Sequence, residues 1–224
     1  MQTAQKTLGV FDTTVGKKIA LAVSGAIIFG FTIVHMLGNL QVYLGPEVFN
    51  HYADTLKTMP ALVWAERIVV GSSVIVHVAM MISLYDRSLK ARPVGYQVKR
   101  SVATTYASAA MKYTGPLLLL YIVYHIAHFT FPGISMGDYE HSPTDVYSNF
   151  VNGFSVPWVA VIYIFANAML GMHLYHGATS MLQTLGLNHP QYNALRGRLA
   201  TAVAMAVTLG NISFPVSVLF GIIQ

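Results

Sequence analysis

The chain has 224 residues, of which 54% are hydrophobic and only 9% charged, and its mean hydropathy is +0.55. A soluble domain carries about 25% charged residues to cover its surface, so the composition excludes a water-soluble or disordered chain and predicts a protein partly solvated by lipid. The small basic excess, 13 Lys and Arg against 8 Asp and Glu, indicates membrane topology and no binding of nucleic acid. The chain contains no cysteine, which excludes an iron–sulfur cluster, a disulfide or covalently attached haem within it.

Five apolar runs reach the length of roughly 20 residues that is needed to cross about 30 Å of hydrocarbon. They cover residues 19–41, 61–85, 112–131, 156–185 and 199–222. The first run is too long for a signal peptide and no cleavage site follows it, so we expect it to be retained. Pro116 would interrupt the third helix if that helix begins before residue 112. The sequence predicts one transmembrane domain over residues 1–224, an all-α bundle of five transmembrane helices.

Basic residues are concentrated in the segments that would lie on one side of the membrane. Eleven of the thirteen occur there, namely Lys6, Lys17, Lys18, Arg87, Lys90, Arg92, Lys99, Arg100, Lys112, Arg196 and Arg198. The opposite segments hold only Lys57 and Arg67, and the largest of them is an outer loop over residues 132–155 that includes Pro132 and Gly133. Because cytoplasmic loops carry the excess of Lys and Arg, the N-terminus is predicted to be cytoplasmic and the C-terminus outside.

Six of the nine histidines fall inside the predicted spans, where an ionisable group is costly and needs a partner or a function. They are His35 in the first span, His77 in the second, His125 and His128 in the third, and His173 and His176 in the fourth. With a rise of about 1.5 Å per residue, His35 and His125 lie about 10 Å below the outer face, whereas His77 and His176 lie about 12–14 Å above the inner face.

Two histidines that face each other at one depth are typical of a haem held by two imidazoles. Two such pairs would stack two b-type haems along the membrane normal and make a path for electrons. The i, i+3 spacing lets both members of the pairs His125/His128 and His173/His176 face inward, so the spacing alone does not choose the ligands. The remaining histidine of each pair could instead contact a haem propionate, a quinone carbonyl or a neighbouring backbone group.

Three segments resemble the cytochrome b558 subunit of succinate dehydrogenase, the five-helix, two-haem membrane anchor of bacterial succinate:quinone reductases and fumarate reductases. They are residues 35–41 (HMLGNLQ), residues 111–116 (MKYTGP) followed by Tyr124 and His125, and residues 176–187 (HGATSMLQTLGL). The order of the five spans is also similar to that family.

The resemblance implies one axial histidine from each of the first four spans. It assigns His35 and His125 to the outer, distal haem and His77 and His176 to the inner, proximal haem. It favours His125 over His128 because of the distance from the Thr-Gly motif, and His176 over His173 because the family's ligand opens the segment that leaves the fourth span. These are also the pairs that depth indicates.

The resemblance further implies a function and partners. The chain would be a subunit of a succinate dehydrogenase in the bacterial cytoplasmic membrane, with a flavoprotein and an iron–sulfur subunit on its cytoplasmic face. Electrons would pass through the haems to menaquinone or another quinone, and a higher oligomer of the complex is compatible with the family.

Quinone-binding residues cannot be transferred from the family. Glu66 and Arg67 are the charged pair near the outer end of a span, and they are candidates for a quinone or propionate contact or for an interfacial ion pair. Three other functions remain as alternatives: another dihaem quinone-linked cytochrome b, a membrane di-iron oxygenase, and a transporter that relays protons through histidines.

Overall fold

The computed structural model describes residues 9–92, 94, 105–131 and 137–224, and within these ranges every regular element is helical. Two short 3₁₀ segments lie at Val10–Asp12 and Leu40–Leu44. The α-helices are α1 (Thr14–Asn39), α2 (Pro46–Lys57), α3 (Pro60–Lys90), α4 (Tyr106–Thr130), α5 (Val146–Ser155), α6 (Pro157–Thr184) and α7 (Asn193–Leu219).

The helices begin where the local sequence favours a helix start. The Thr13 hydroxyl accepts the Gly16 amide at the start of α1, and the Asp145 carboxylate accepts the Ser148 amide at the start of α5. Proline occupies the first position of α2, α3 and α6, where its missing N–H costs nothing.

In the described part of the chain, four helices are long and apolar enough to cross a membrane, and they lie at the first, second, fourth and fifth predicted spans. Helix α4 contains the third predicted span, but it is not among these four. It begins before residue 112, so Pro116 lies inside it and removes one backbone hydrogen bond. An all-α membrane bundle is therefore confirmed, while the crossing of the membrane by α4 stays a prediction.

Helix α6 is the centre of the bundle, since it packs against α1, α4 and α7, while α3 packs mainly against α1. Among the described residues of α3 only Ser73 is buried, and large apolar side chains cover the outside of the bundle. An apolar exterior of this kind is stable only in contact with lipid or another apolar surface.

Polar side chains fix which helix ends lie together. Arg87 of α3 donates to the Asp12 carbonyl (2.6 Å) and to the Thr14 hydroxyl (3.2 Å), so the end of α3 lies beside the start of α1. Lys17 also donates to Ser83. The described basic residues of the predicted cytoplasmic side thus belong to one end of the bundle, whereas Lys6, Lys99 and Arg100 lie outside the described residues.

Two short helices that the apolar pattern does not predict, α2 and α5, pack together at the opposite end as an outer cap. The Asn50 amide donates to Asp145 Oδ1 (3.0 Å), and its oxygen accepts the Tyr147 amide (2.9 Å). An aromatic cluster fills the space beneath, formed by Phe49, Tyr147, Phe150, Phe154 and Phe214. The predicted outer loop over residues 132–155 thus contains a helix, while Pro132 and Gly133 lie outside the described residues.

Candidate functional site

The outer histidine pair joins α1 to α4. The ring centroids of His35 and His125 lie 5.7 Å apart and their planes are nearly perpendicular, at 88°. Phe31 stacks on His35 at 5.2 Å, and Tyr121 and Phe129 lie against His125 at 5.8 and 5.9 Å. The structure therefore brings together the two histidines that depth predicted as the outer pair, in a largely aromatic environment.

His128 differs from His125 because both of its ring nitrogens already have partners. Its Nδ1 lies 3.0 Å from the Tyr163 hydroxyl, and its Nε2 lies 3.2 Å from the Tyr139 hydroxyl. The side chain is fully buried against α5, where Gly153 leaves room for it: a Cβ at Gly153 would lie 3.1 Å from its Cε1. His128 thus holds hydrogen bonds, and His125 is the better candidate ligand on α4.

The inner histidine pair joins α3 to α6, and its member on α6 is His173. The ring centroids of His77 and His173 lie 6.3 Å apart. His176, the residue predicted as the ligand, lies a turn further along α6, and in the described part of the chain its ring makes no contact with that of His77. The geometry favours His173 for this pair.

A hydroxyl group lies next to the Nδ1 atom of each histidine in the inner pair. The Ser24 hydroxyl donates to the Ala20 carbonyl at 2.7 Å, and its oxygen lies 3.5 Å from His77 Nδ1, from which it can accept a hydrogen. The Thr114 hydroxyl lies 3.3 Å from His173 Nδ1, and either group can be the donor there. A neutral imidazole that carries its hydrogen on Nδ1 has its lone pair on Nε2, which is the nitrogen that a metal can bind.

Both pairs suit haem b better than a bare metal ion. Among the described residues, no three or more His, Cys, Asp or Glu side chains are arranged so that they could hold one metal ion, so each pair would offer a metal only two protein ligands. A porphyrin brings its own ring nitrogens and needs only two axial imidazoles. Moreover, α1 and α4, like α3 and α6, are not close-packed neighbours, although their histidines reach each other. The donor set and the helix spacing therefore fit a flat cofactor.

The other candidate residues lie away from both pairs. The Arg67 guanidinium lies 5.3 Å above the ring of the exposed Trp64, and no ion pair between Arg67 and Glu66 occurs in the described residues. This arrangement is typical of an interfacial anchor. His51 and His189 are exposed, and His141 is half-buried.

Sequence reasoning missed the hydroxyl partners of the histidines, namely Ser24, Thr114, Tyr139 and Tyr163. Ser24 and Tyr163 are polar residues inside apolar spans, which is the signal that could have found them. Tyr139 lies in an outer segment, where a tyrosine carries no such signal.

The fold and the site define an all-α membrane protein that carries two pairs of facing histidines. A family model described as succinate dehydrogenase/fumarate reductase transmembrane subunit matches residues 88–211, which is more than half of the chain. The chain belongs to this family. The matched region includes the histidines of α4 and α6, whereas His35 and His77 precede it. No curated protein and no solved structure matches the chain.

Proposed function

We propose that the chain is the cytochrome b anchor of a succinate:quinone oxidoreductase and that it carries electrons across the bundle through two haem b groups. Its family consists of membrane subunits of succinate dehydrogenase and fumarate reductase complexes. The observation that carries the proposal is the presence of two separate pairs of facing histidines, one joining α1 to α4 and the other joining α3 to α6.

His35 and His125 would hold the outer haem, and His77 and His173 the inner one. Here His173 replaces His176, because its ring is the one that faces His77. When bound, haem supplies one-electron transfer. The protein supplies neutral imidazoles, fixes their orientation through hydroxyl partners, and surrounds the outer pair with aromatic side chains that exclude water.

We infer the partner subunits from the absence of cysteine in the chain and from the distribution of basic residues. Because it contains no cysteine, the iron–sulfur clusters that deliver electrons must belong to another subunit, and the flavin site that oxidises succinate to a third. We place these partners on the basic end of the bundle, and we place the complex in a bacterial cytoplasmic membrane. Menaquinone or another quinone would accept the electrons.

The purified complex tests this proposal directly. Succinate should reduce b-type centres whose absorption also appears with dithionite, because the anchor receives electrons from the partner subunits. The His77→Ala and His173→Ala variants should each lose the inner centre and keep the outer one, whereas His35→Ala and His125→Ala should lose only the outer one.

The matched control is His176→Ala, which lies one turn from His173 on the same helix and should retain both centres. Loss of the inner centre from His176→Ala but not from His173→Ala would contradict the ligand assignment. A complex without any b-type absorption would contradict the haem proposal and favour the transporter alternative.

A further inference from the structure

A chain of hydrogen bonds runs from the outer histidine pair towards the outer end of the bundle. The Tyr163 hydroxyl lies 3.3 Å from His125 Nδ1 and 3.0 Å from His128 Nδ1. On its other side, His128 Nε2 lies 3.2 Å from the Tyr139 hydroxyl. Tyr163 and His128 are buried, whereas Tyr139 is only half-buried. A single tyrosine hydroxyl therefore bridges two imidazoles inside the bundle.

The hydrogens in this chain can be assigned once His125 is taken as a ligand through Nε2, so the inference rests on the proposed function. The His125 Nδ1 then carries a hydrogen and donates it to the Tyr163 oxygen. Tyr163 has one hydrogen, and the remaining acceptor in reach is His128 Nδ1. His128 must then carry its own hydrogen on Nε2, which donates to Tyr139. The hydrogens of His125 Nδ1, Tyr163 and His128 Nε2 thus each have one acceptor.

We propose that Tyr163 is a positioning residue for the outer haem and that His128 is the acceptor that orients its hydroxyl. Tyr163 holds the tautomer of His125 that leaves Nε2 free, and it fixes the rotation of the ring. A hydrogen bond from the far nitrogen of an axial imidazole also makes that imidazole a stronger electron donor, which favours the oxidised state of the iron. Because hydrogen bonds in a chain strengthen one another, His128 reinforces the effect of Tyr163.

The packing supports this role, because the Tyr163 ring is held from several sides. Phe154 of α5 lies against it at 4.8 Å, and Tyr121 of α4 lies at 5.2 Å. Gly153 of α5 also lies close to His128, since a Cβ there would lie 3.1 Å from both Cε1 and Nε2 of its ring. Movement of either Tyr163 or His128 would therefore disturb the packing of α5.

The test replaces Tyr163 by Phe in the assembled complex and titrates both haems by spectroelectrochemistry. Tyr163→Phe should raise the midpoint potential of the outer centre and leave the inner one unchanged. It should also alter the outer low-spin EPR signal, because that signal depends on the angle between the two imidazole planes. An unchanged outer potential and EPR signal would overturn the inference.

The matched control is Tyr124→Phe. The Tyr124 ring lies 5.8 Å from that of His128, but its hydroxyl has no hydrogen-bond partner in the described residues. Its removal should shift neither potential, and a shift equal to that of Tyr163→Phe would overturn the inference by showing that any hydroxyl in the cluster has the same effect.

A second variant decides the matter if Tyr163→Phe does not assemble. His128→Leu should keep the outer haem and raise its potential by a smaller amount, since the Tyr163 hydroxyl loses its acceptor. Loss of the outer haem in this variant, or an unchanged potential, would overturn the inference. A wild-type complex without haem would instead contradict the proposed function itself, so the two failures are distinguishable.

Discussion

His173 and His176 project about 60° apart around α6, since successive residues of a helix turn by about 100°. Both therefore point broadly inward, and the sequence spacing could not decide which of them meets His77. The rotation of α6 about its own axis, relative to α1 and α4, decides which of the two histidines meets His77. That rotation depends on the packing of whole helix faces. On α4 the same ambiguity is resolved by hydrogen bonds, because Tyr139 and Tyr163 occupy both nitrogens of His128.

Asp145 in the outer cap provides a pH-dependent prediction. Its carboxylate accepts the Ser148 hydroxyl, the Ser148 amide and the Asn50 amide, and these hydrogen bonds lower the pKa of Asp145 below its usual value of about 3.9. A carboxyl group with a lowered pKa stabilises the fold at pH values above its unfolded pKa, and this contribution is lost as the pH falls through the folded pKa.

We therefore expect the start of α5 to exchange its amide hydrogens faster, relative to intrinsic rates, as the pH falls below about 4. Hydrogen-exchange mass spectrometry of peptides from residues 137–155 measures this. The control is Asp145→Asn, which does not titrate and should show no acid-dependent opening of this kind. Equal acid-dependent opening in both proteins would contradict the assignment to Asp145.

At the scale of elements, the contact between α6 and α7 depends on small residues. A Cβ at Gly171 would lie 3.2 Å from Thr208 Cγ2 and 3.3 Å from Thr208 Cβ, and closer still to its hydroxyl oxygen. Thr208 is branched and its hydroxyl donates to the Ala204 carbonyl, so it cannot easily turn away. Small residues of this kind let membrane helices approach each other closely.

Gly171→Ala should therefore destabilise the bundle by about 1–3 kcal/mol through overpacking. The matched control is Gly177→Ala on the same helix, where a Cβ would meet no atom within 4 Å. That change should be neutral or should stabilise the helix by up to about 1 kcal/mol. Unfolding in mixed detergent measures both variants, and equal stability of the two would contradict the packing argument.

The outer cap shows what the apolar pattern could not predict about the elements. A search for runs of roughly 20 apolar residues finds the spans but passes over shorter helices. Helix α2 has 12 residues with charged groups among them, and α5 has 10. They are ordered by tertiary contacts, namely the aromatic cluster and the hydrogen bonds of Asn50, which join residues about 95 positions apart.

At the scale of the whole molecule, charge and composition predicted the most. The membrane environment, the helical class and the clustering of described basic residues at one end follow from residue types and from the lengths of apolar runs, which need no knowledge of packing. The depth of each histidine could also be estimated, since helix rise is constant. The contacts of each histidine could not be predicted, because they depend on how each helix is rotated relative to its neighbours.

The predicted orientation can be tested by labelling, and the absence of cysteine makes the chain a suitable background. Glu47 follows α1, and Lys90 ends α3 at the opposite end of the bundle; both are exposed. The cells are first treated so that the reagent reaches the outside of an intact cytoplasmic membrane. Under these conditions a membrane-impermeant maleimide should label Glu47→Cys. It should label Lys90→Cys only after that membrane is permeabilised. The reverse pattern would contradict a cytoplasmic N-terminus.

The central claim is that one chain holds two haems, each between two facing histidines. The measurement that tests it most directly is the haem b content of the purified complex by pyridine haemochrome, divided by the amount of this chain from quantitative amino-acid analysis. We expect two haem b per chain. A ratio of one would contradict the arrangement of two pairs, and a ratio of zero would contradict the role of the histidines as haem ligands.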